Sequence, residues 1–215
     1  MAATQRSPAE SAIRARIATQ GRITFAEFME LALYLPDGGY YASPGRISAR
    51  GDYFTSPSAH PAFGALISVQ LREMWRSLNA PSDFGVIEMG AGSGVLARDV
   101  TSYARRLDEP FAAALRYVAV DRIQPGQEGA LAFRRSLPPK VATGCILSNE
   151  LLDAFPVHRF VIERGRLKEL FVALDGDRLV EVPGDPSTPL VERRLGAIAP
   201  TLPDGFRGEA NLALD

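Results

Sequence analysis

The stretch Val86–Val95 reads V-I-E-M-G-A-G-S-G-V and confines the fold more tightly than any other part of the chain. An apolar run ends beside an acid, glycines fill alternate positions, and a helical pattern follows. This is the strand, turn and helix start of a parallel α/β unit. In such units the turn lies at the carboxyl end of the strand, and the helix offers unpaired N–H groups to polar ligand atoms. Gly90, Gly92 and Gly94 lack a Cβ, so backbone can turn sharply and be approached closely there. The dinucleotide fingerprint G-x-G-x-x-G would need glycine where Val95 stands, and no Lys makes the loop a phosphate-binding P-loop. Two readings stay open from these residues alone: a nucleoside pocket, or a turn that serves only the packing of a Rossmann-like domain.

The flanking pattern extends the α/β unit. Strand one is Val86 to Met89, a helix covers Val95 to Leu107, and strand two runs from Arg116 to Asp121. An acid ending the second strand suits a ribose diol, because a carboxylate accepts two hydroxyl hydrogen bonds; the other reading of Asp121 is a turn cap before Arg122. Gln127 to Leu137 reads as a helix, Lys140 to Ala142 is barely a strand, and Cys145 to Ser148 is the third evident parallel strand. Polar residues follow it in Asn149-Glu150-Leu151-Leu152-Asp153-Ala154-Phe155-Pro156, where a cofactor crevice would lie.

Upstream, Ser7-Pro8-Ala9-Glu10 predicts a capped helix start, ended by Gly21. A second helix starts at Thr24 and closes before Pro36. A third runs from about Pro61 to Leu78, with Phe63, Leu66, Ile67, Leu71, Met74, Trp75 and Leu78 as its apolar stripe. Downstream, His158 to Glu163, Leu167 to Leu174 and Leu179 to Val182, separated by turns at Gly165 and Asp175-Gly176-Asp177, read as an antiparallel hairpin set that interrupts the α/β order and looks like an insertion. Leu190 to Ile198 is helical in pattern.

Composition narrows the function. With 24 basic and 25 acidic residues the net charge is -1, which argues against a general affinity for nucleic acid or an anionic membrane. No apolar run is long enough to span a bilayer, so membrane insertion is not expected. Cys145 is the only cysteine, which suits a reducing, cytoplasmic setting and a buried structural thiol. His60 and His158 have no metal-ligand spacing, so no metal is expected.

Three stretches together resemble the MidA family of S-adenosylmethionine-dependent methyltransferases, which includes the mitochondrial protein-arginine methyltransferase that assists respiratory complex I assembly. They are Gly51-Asp52-Tyr53-Phe54-Thr55-Ser56-Pro57, Glu88-Met89-Gly90-Ala91-Gly92-Ser93-Gly94 and Ser148-Asn149-Glu150-Leu151-Leu152-Asp153-Ala154-Phe155-Pro156-Val157. The Glu88 spacing is that of motif I of the class I enzymes. Leu33-Tyr34, Pro36-Asp37-Gly38-Gly39-Tyr40-Tyr41 and Gly208-Glu209-Ala210-Asn211 also fit, so the resemblance covers essentially the whole chain.

The resemblance implies a Rossmann-like class I methyltransferase core with an N-terminal helical region and a β-hairpin insertion. The expected divisions are 1–80 (helical, with Gly51–Pro57 as a lid-like loop), 81–156 (cofactor-binding core), 157–207 (hairpin and helix insertion) and 208–215 (a returning core segment, with the chain ending early). S-adenosylmethionine is the implied cofactor, held by Glu88, Gly90, Gly92, Gly94 and Asp121. A protein arginine is the implied acceptor. A planar guanidinium needs carboxylates, which makes Glu150 and Asp153 the candidates, with Asn149 beside them and Glu209 further off. The alternatives are an assembly or scaffold protein that keeps the fold without turnover, and a Rossmann-type enzyme binding NAD, against which Val95 argues.

Overall fold

The computed structural model describes residues 6–42, 56–122, 132–138 and 143–213. In chain order the elements begin with α1 (Pro8–Gln20), β1 (Arg22–Thr24), α2 (Phe25–Tyr34), α3 (Ser56–Ala59) and α4 (Ala62–Ser77). Then come β2 (Phe84–Met89), α5 (Val95–Leu107), α6 (Glu109–Ala114), β3 (Leu115–Val120), β4 (Ala132–Arg134) and β5 (Gly144–Ser148). The last are β6 (His158–Glu163), β7 (Arg166–Asp175), β8 (Arg178–Gly184), α7 (Pro189–Leu195) and β9 (Arg207–Ala210). They fall into two compact units, Met1–Ser43 with Ala154–Asp215, and Pro44–Asp153.

The second of these units holds a four-stranded parallel sheet in the order β4-β3-β2-β5. Its registers align Met89 with Val120 and Ser148, so Gly90, Asp121 and Asn149 all leave the sheet at its carboxyl edge. Side chains alternate along each strand. Phe84, Val86, Tyr117 and the half-buried Cys145 and Leu147 therefore share one face, which packs on Leu71 and Trp75 of α4, Leu96, Ala97 and Val100 of α5 and Phe111 of α6. Asp108 caps α6 through a bond from the Phe111 N–H at 3.1 Å.

Two expectations are corrected here. Of the expected helix Gln127–Leu137, Ala132–Arg134 is a strand paired with β3 and residues 135–137 are not helical; residues 127–131 and Lys140–Ala142 lie outside the described residues. The short strand carries no periodicity of its own and is stabilised by pairing. In α4 the face turned to the core is Gly64, Ser68, Leu71 and Trp75, while Leu66, Met74 and Leu78 are exposed. The reason is close helix approach: a Cβ on Gly64 would lie 2.4 Å from Asp99 Cβ of α5. Gly64→Ala is expected to lower unfolding free energy by about 1–3 kcal/mol through overpacking, despite alanine's better helix propensity. Urea unfolding followed by fluorescence of Trp75, on the same helix, measures this; an unchanged midpoint would mean the helices can separate at no cost.

The other unit is built on an antiparallel sheet, β1-β7-β6-β9, with β8 on β7 as well. The Phe160 and Ile162 face packs on Val191 and Leu195 of α7. The opposite face, through Val172, packs on Ile13 and Ile17 of α1 and on Phe25, Phe28 and Leu31 of α2. The caps read from sequence are present: Ser7 and Thr24 accept the Glu10 and Glu27 N–H groups, each at 3.1 Å. The hairpin is not an isolated insertion. β1 joins β7, β9 joins β6, and both helices at the start of the chain cover this sheet. Gly208–Ala210 thus belongs to the antiparallel sheet, not to a returning strand of the parallel one. Each of these added strands has three or four residues, too few for alternation to be read.

Candidate cofactor site

The glycine loop leaves β2 with three residues at positive φ: Gly90 at 73°, Gly92 at 54° and Gly94 at 72°. Their surroundings differ. A Cβ on Gly90 would meet Leu151 Cδ1 at 2.7 Å, and one on Gly94 would meet Phe133 Cζ at 2.7 Å. A Cβ on Gly92 would have none of the described residues within 4 Å. Neighbouring side chains therefore explain the first and third glycines, and among the described residues nothing covers the backbone at Gly92. Gly94 also caps α5, so the helix N-terminus and its dipole open onto this loop.

Asp121 reaches across from the end of β3 and accepts the Gly92 N–H through Oδ2 at 2.8 Å. Its own N–H donates to the Arg134 carbonyl at 3.0 Å, which continues the β3–β4 pairing one residue past the strand. Sequence and structure thus bring Asp121 and Gly92 into one constellation.

Glu88 lies elsewhere. Its side chain is 4% exposed, on the core face of β2, and its Oε2 accepts the Tyr117 hydroxyl at 2.9 Å. Burial pushes the Glu88 carboxyl up most; the Tyr117 hydrogen bond pulls it down and the Asp121 charge adds to the rise, leaving it at about 7. Glu88 thus faces the core two residues before the loop begins, and its partner Tyr117 was not among the residues expected from sequence. Only the strand register shows that Tyr117 and Glu88 share a face.

The polar residues after β5 sit next to the loop, since Leu151 covers Gly90. Asn149 is half-buried and Glu150 exposed. Glu150 holds φ at 51°, a left-handed conformation uncommon for a residue with a Cβ. Asp153 is exposed in the 3-10 turn Leu152–Ala154. Glu209 stands on β9 of the antiparallel sheet, 3.6 Å from Arg159 Nε. Residues Gly51–Thr55 of the expected lid lie outside the described residues. His60 accepts the Ala62 N–H at 3.0 Å, and His158 pairs with Glu169. Among the described residues no cluster of His, Cys, Asp and Glu could hold a metal, and no helix is long and apolar enough to cross a membrane.

A family model described as "Putative S-adenosyl-L-methionine-dependent methyltransferase" matches residues 66–215. The chain belongs to this methyltransferase family. The MidA resemblance read from the three motifs is borne out by that match. Among its relatives, the protein arginine methyltransferase NDUFAF7 homolog, mitochondrial, of Drosophila melanogaster is 30% identical over 189 residues, covering 74% of this chain and 43% of that protein. Protein arginine methyltransferase NDUFAF7, mitochondrial, of Rattus norvegicus is 25% identical over 194 residues, covering 74% and 44%. A crystal structure of a Burkholderia thailandensis protein bound to S-adenosyl-homocysteine superposes with a TM-score of 0.75 at 25% identity, covering 97% of this chain and 59% of that one. This methyltransferase-family chain thus spans less than half the length of these two curated relatives.

Proposed function

We propose that this chain is an S-adenosylmethionine-dependent methyltransferase whose acceptor is a protein arginine. The observation that carries the cofactor is the pairing of Asp121 with open Gly92 at the carboxyl edge of the parallel sheet. A carboxylate and bare backbone side by side suit a ribose diol and the chain attached to it. When bound, the cofactor would supply an activated methyl carbon, transferred to the acceptor nitrogen as the carbon–sulfur bond breaks. Asp121 would hold the sugar, and the Gly92 backbone would allow close approach. The family match and the S-adenosyl-homocysteine bound by the Burkholderia protein support this reading.

The arginine acceptor rests on the names of the relatives and on the carboxylates beside the loop. Glu150 and Asp153 would pair with the guanidinium and orient one nitrogen, with Asn149 adding a neutral amide contact. The left-handed backbone at Glu150 fixes the direction in which that side chain leaves the turn.

Incubation of the chain with a cell extract and methyl-labelled cofactor, followed by hydrolysis of the labelled protein, tests both parts. Label in methylarginine is expected. Label in another residue would remove the arginine reading, and no label above the chain-free control would remove turnover. Asp121→Ala is expected to weaken S-adenosylmethionine binding by about 10- to 100-fold, which is roughly 1–3 kcal/mol for hydrogen-bonding groups left unpaired. Calorimetry measures it, and unchanged affinity would take Asp121 out of the site.

A further inference from the structure

Glu88 is buried on the core face of β2, two residues before Gly90, and among the described residues its side chain bonds to Tyr117. Tyr117, itself 8% exposed, donates its hydroxyl to Glu88 Oε2 at 2.9 Å. The register explains the pair. Glu88 stands opposite Ala119 on β3 and Leu147 on β5, while Tyr117 and Cys145 flank Val86 one pleat below. The tyrosine ring therefore reaches up the same face to the carboxylate. Among the described residues, the Asp121 carboxylate opposes ionisation of Glu88, and the Cys145 thiol, which burial pushes up, acts on Tyr117. The buried residues of α5 (Leu96, Ala97, Val100, Ala104) and of α4 (Gly64, Ser68, Leu71, Trp75) carry no ionisable group. The Tyr117 hydroxyl is thus the donor that opposes protonation of Glu88.

We propose that Tyr117 is a positioning residue for the cofactor pocket: its hydroxyl holds the buried Glu88 carboxyl in place near the end of β2, two residues before Gly90, where the negative form of that group favours a cationic ligand. The proposal rests on the reading of this loop as the S-adenosylmethionine site. That ligand carries a sulfonium and an ammonium, so a buried anion at the end of the strand that leads into the loop strengthens its binding and a neutral Glu88 does not. Burial raises Glu88 most, the Tyr117 hydrogen bond lowers it and the Asp121 charge raises it further, to about 7 in all, so loss of the hydrogen bond moves the titration above neutral pH. The sign follows: affinity rises as pH climbs through the Glu88 titration, and removal of the Tyr117 hydroxyl shifts that rise to higher pH.

The test is calorimetric titration of S-adenosylmethionine into wild type, Tyr117→Phe and Glu88→Gln between pH 6 and 9. Carbon-13 NMR of labelled glutamate carboxyls, assigned by Glu88→Gln, follows Glu88 without ligand. Glu88→Gln supplies the profile that comes from the ligand's own amine. Relative to that reference, wild type is expected to bind on the order of tenfold tighter at pH 8 than at pH 6. Tyr117→Phe should show the same gain displaced upward in pH, with the Glu88 carboxyl titrating later in the NMR. A merely structural tyrosine would weaken binding equally at every pH, and parallel profiles with an unmoved Glu88 titration would overturn the proposal. Wild type that binds no S-adenosylmethionine at any pH would instead overturn the cofactor reading and the proposal with it, a result distinct from parallel profiles.

Discussion

Glu169→Ala is expected to cost this protein about 2–5 kcal/mol of stability, seen as a lower urea midpoint by far-ultraviolet circular dichroism. Glu169 lies in β7 on the face shared with Phe160, and no part of it is exposed. Both carboxylate oxygens are engaged: Oε1 with His158 Nδ1 at 2.7 Å, and Oε2 with the Ser187 N–H at 2.6 Å. The second bond fixes the segment that leads into α7, whose Thr188 cap follows directly. Alanine would leave the His158 ring nitrogen and the Ser187 N–H without their acceptor, at about 1–3 kcal/mol each, and would open a void between them. Glu169→Gln should lose less. Its carbonyl oxygen can still accept from one donor, but its amide then turns a donor toward the other. A wild-type midpoint in both variants would mean that α7 is held by its apolar face alone.

The same carboxylate makes the protein acid-sensitive. Burial raises the Glu169 carboxyl, but the hydrogen bonds from His158 and Ser187 outweigh it and hold the group below its ordinary value. A carboxylate whose folded pKa is depressed contributes stability above its unfolded value of about 4.3, and that stability is lost as pH falls through the folded one. The wild-type stability curve should therefore fall on the acid side of about pH 4.3 more steeply than that of Glu169→Ala.

Local chemistry made much of the fold legible. Side-chain caps at Ser7 and Thr24, the glycine turn after Met89 and the short apolar run within His158–Glu163 each act within a few residues, and each stands where the sequence places it. What could not be read depends on partners far along the chain. β1, β4 and β9 have three or four residues and exist because longer strands pair with them. The buried face of α4 is set by how closely α5 approaches Gly64, so small residues turned inward and Leu66 turned out. The candidate site divides the same way. Asp121 and Gly92 meet as the strand order dictates, whereas the Glu88–Tyr117 bond, the Leu151 cover and the Phe133 cover all require the register.

That division decides which glycine should abolish cofactor binding when it is filled. Gly92 sits at φ 54°, where asparagine is tolerated among residues with a Cβ, and a Cβ there has none of the described residues within 4 Å. Gly92→Asn should therefore fold, with a stability cost of roughly 1 kcal/mol, and should keep the N–H that Asp121 accepts. Its side chain would occupy the space in which the proposed ligand lies against the backbone, and a loss of about 100-fold or more in S-adenosylmethionine affinity is expected, roughly 2.7 kcal/mol. Gly90→Ala and Gly94→Ala act through the protein instead, because each new Cβ strikes Leu151 or Phe133 at 2.7 Å. The atoms met are the far ends of side chains that can swing aside, so those two should cost about what Gly92→Asn does in the thermal melt, roughly 1 kcal/mol of backbone strain, and lose far less affinity. Calorimetric titration and a thermal melt on the three variants separate the two effects. If Gly92→Asn binds S-adenosylmethionine as wild type does, the ligand does not approach the loop at this residue, and the pocket assigned to Asp121 and Gly92 is lost.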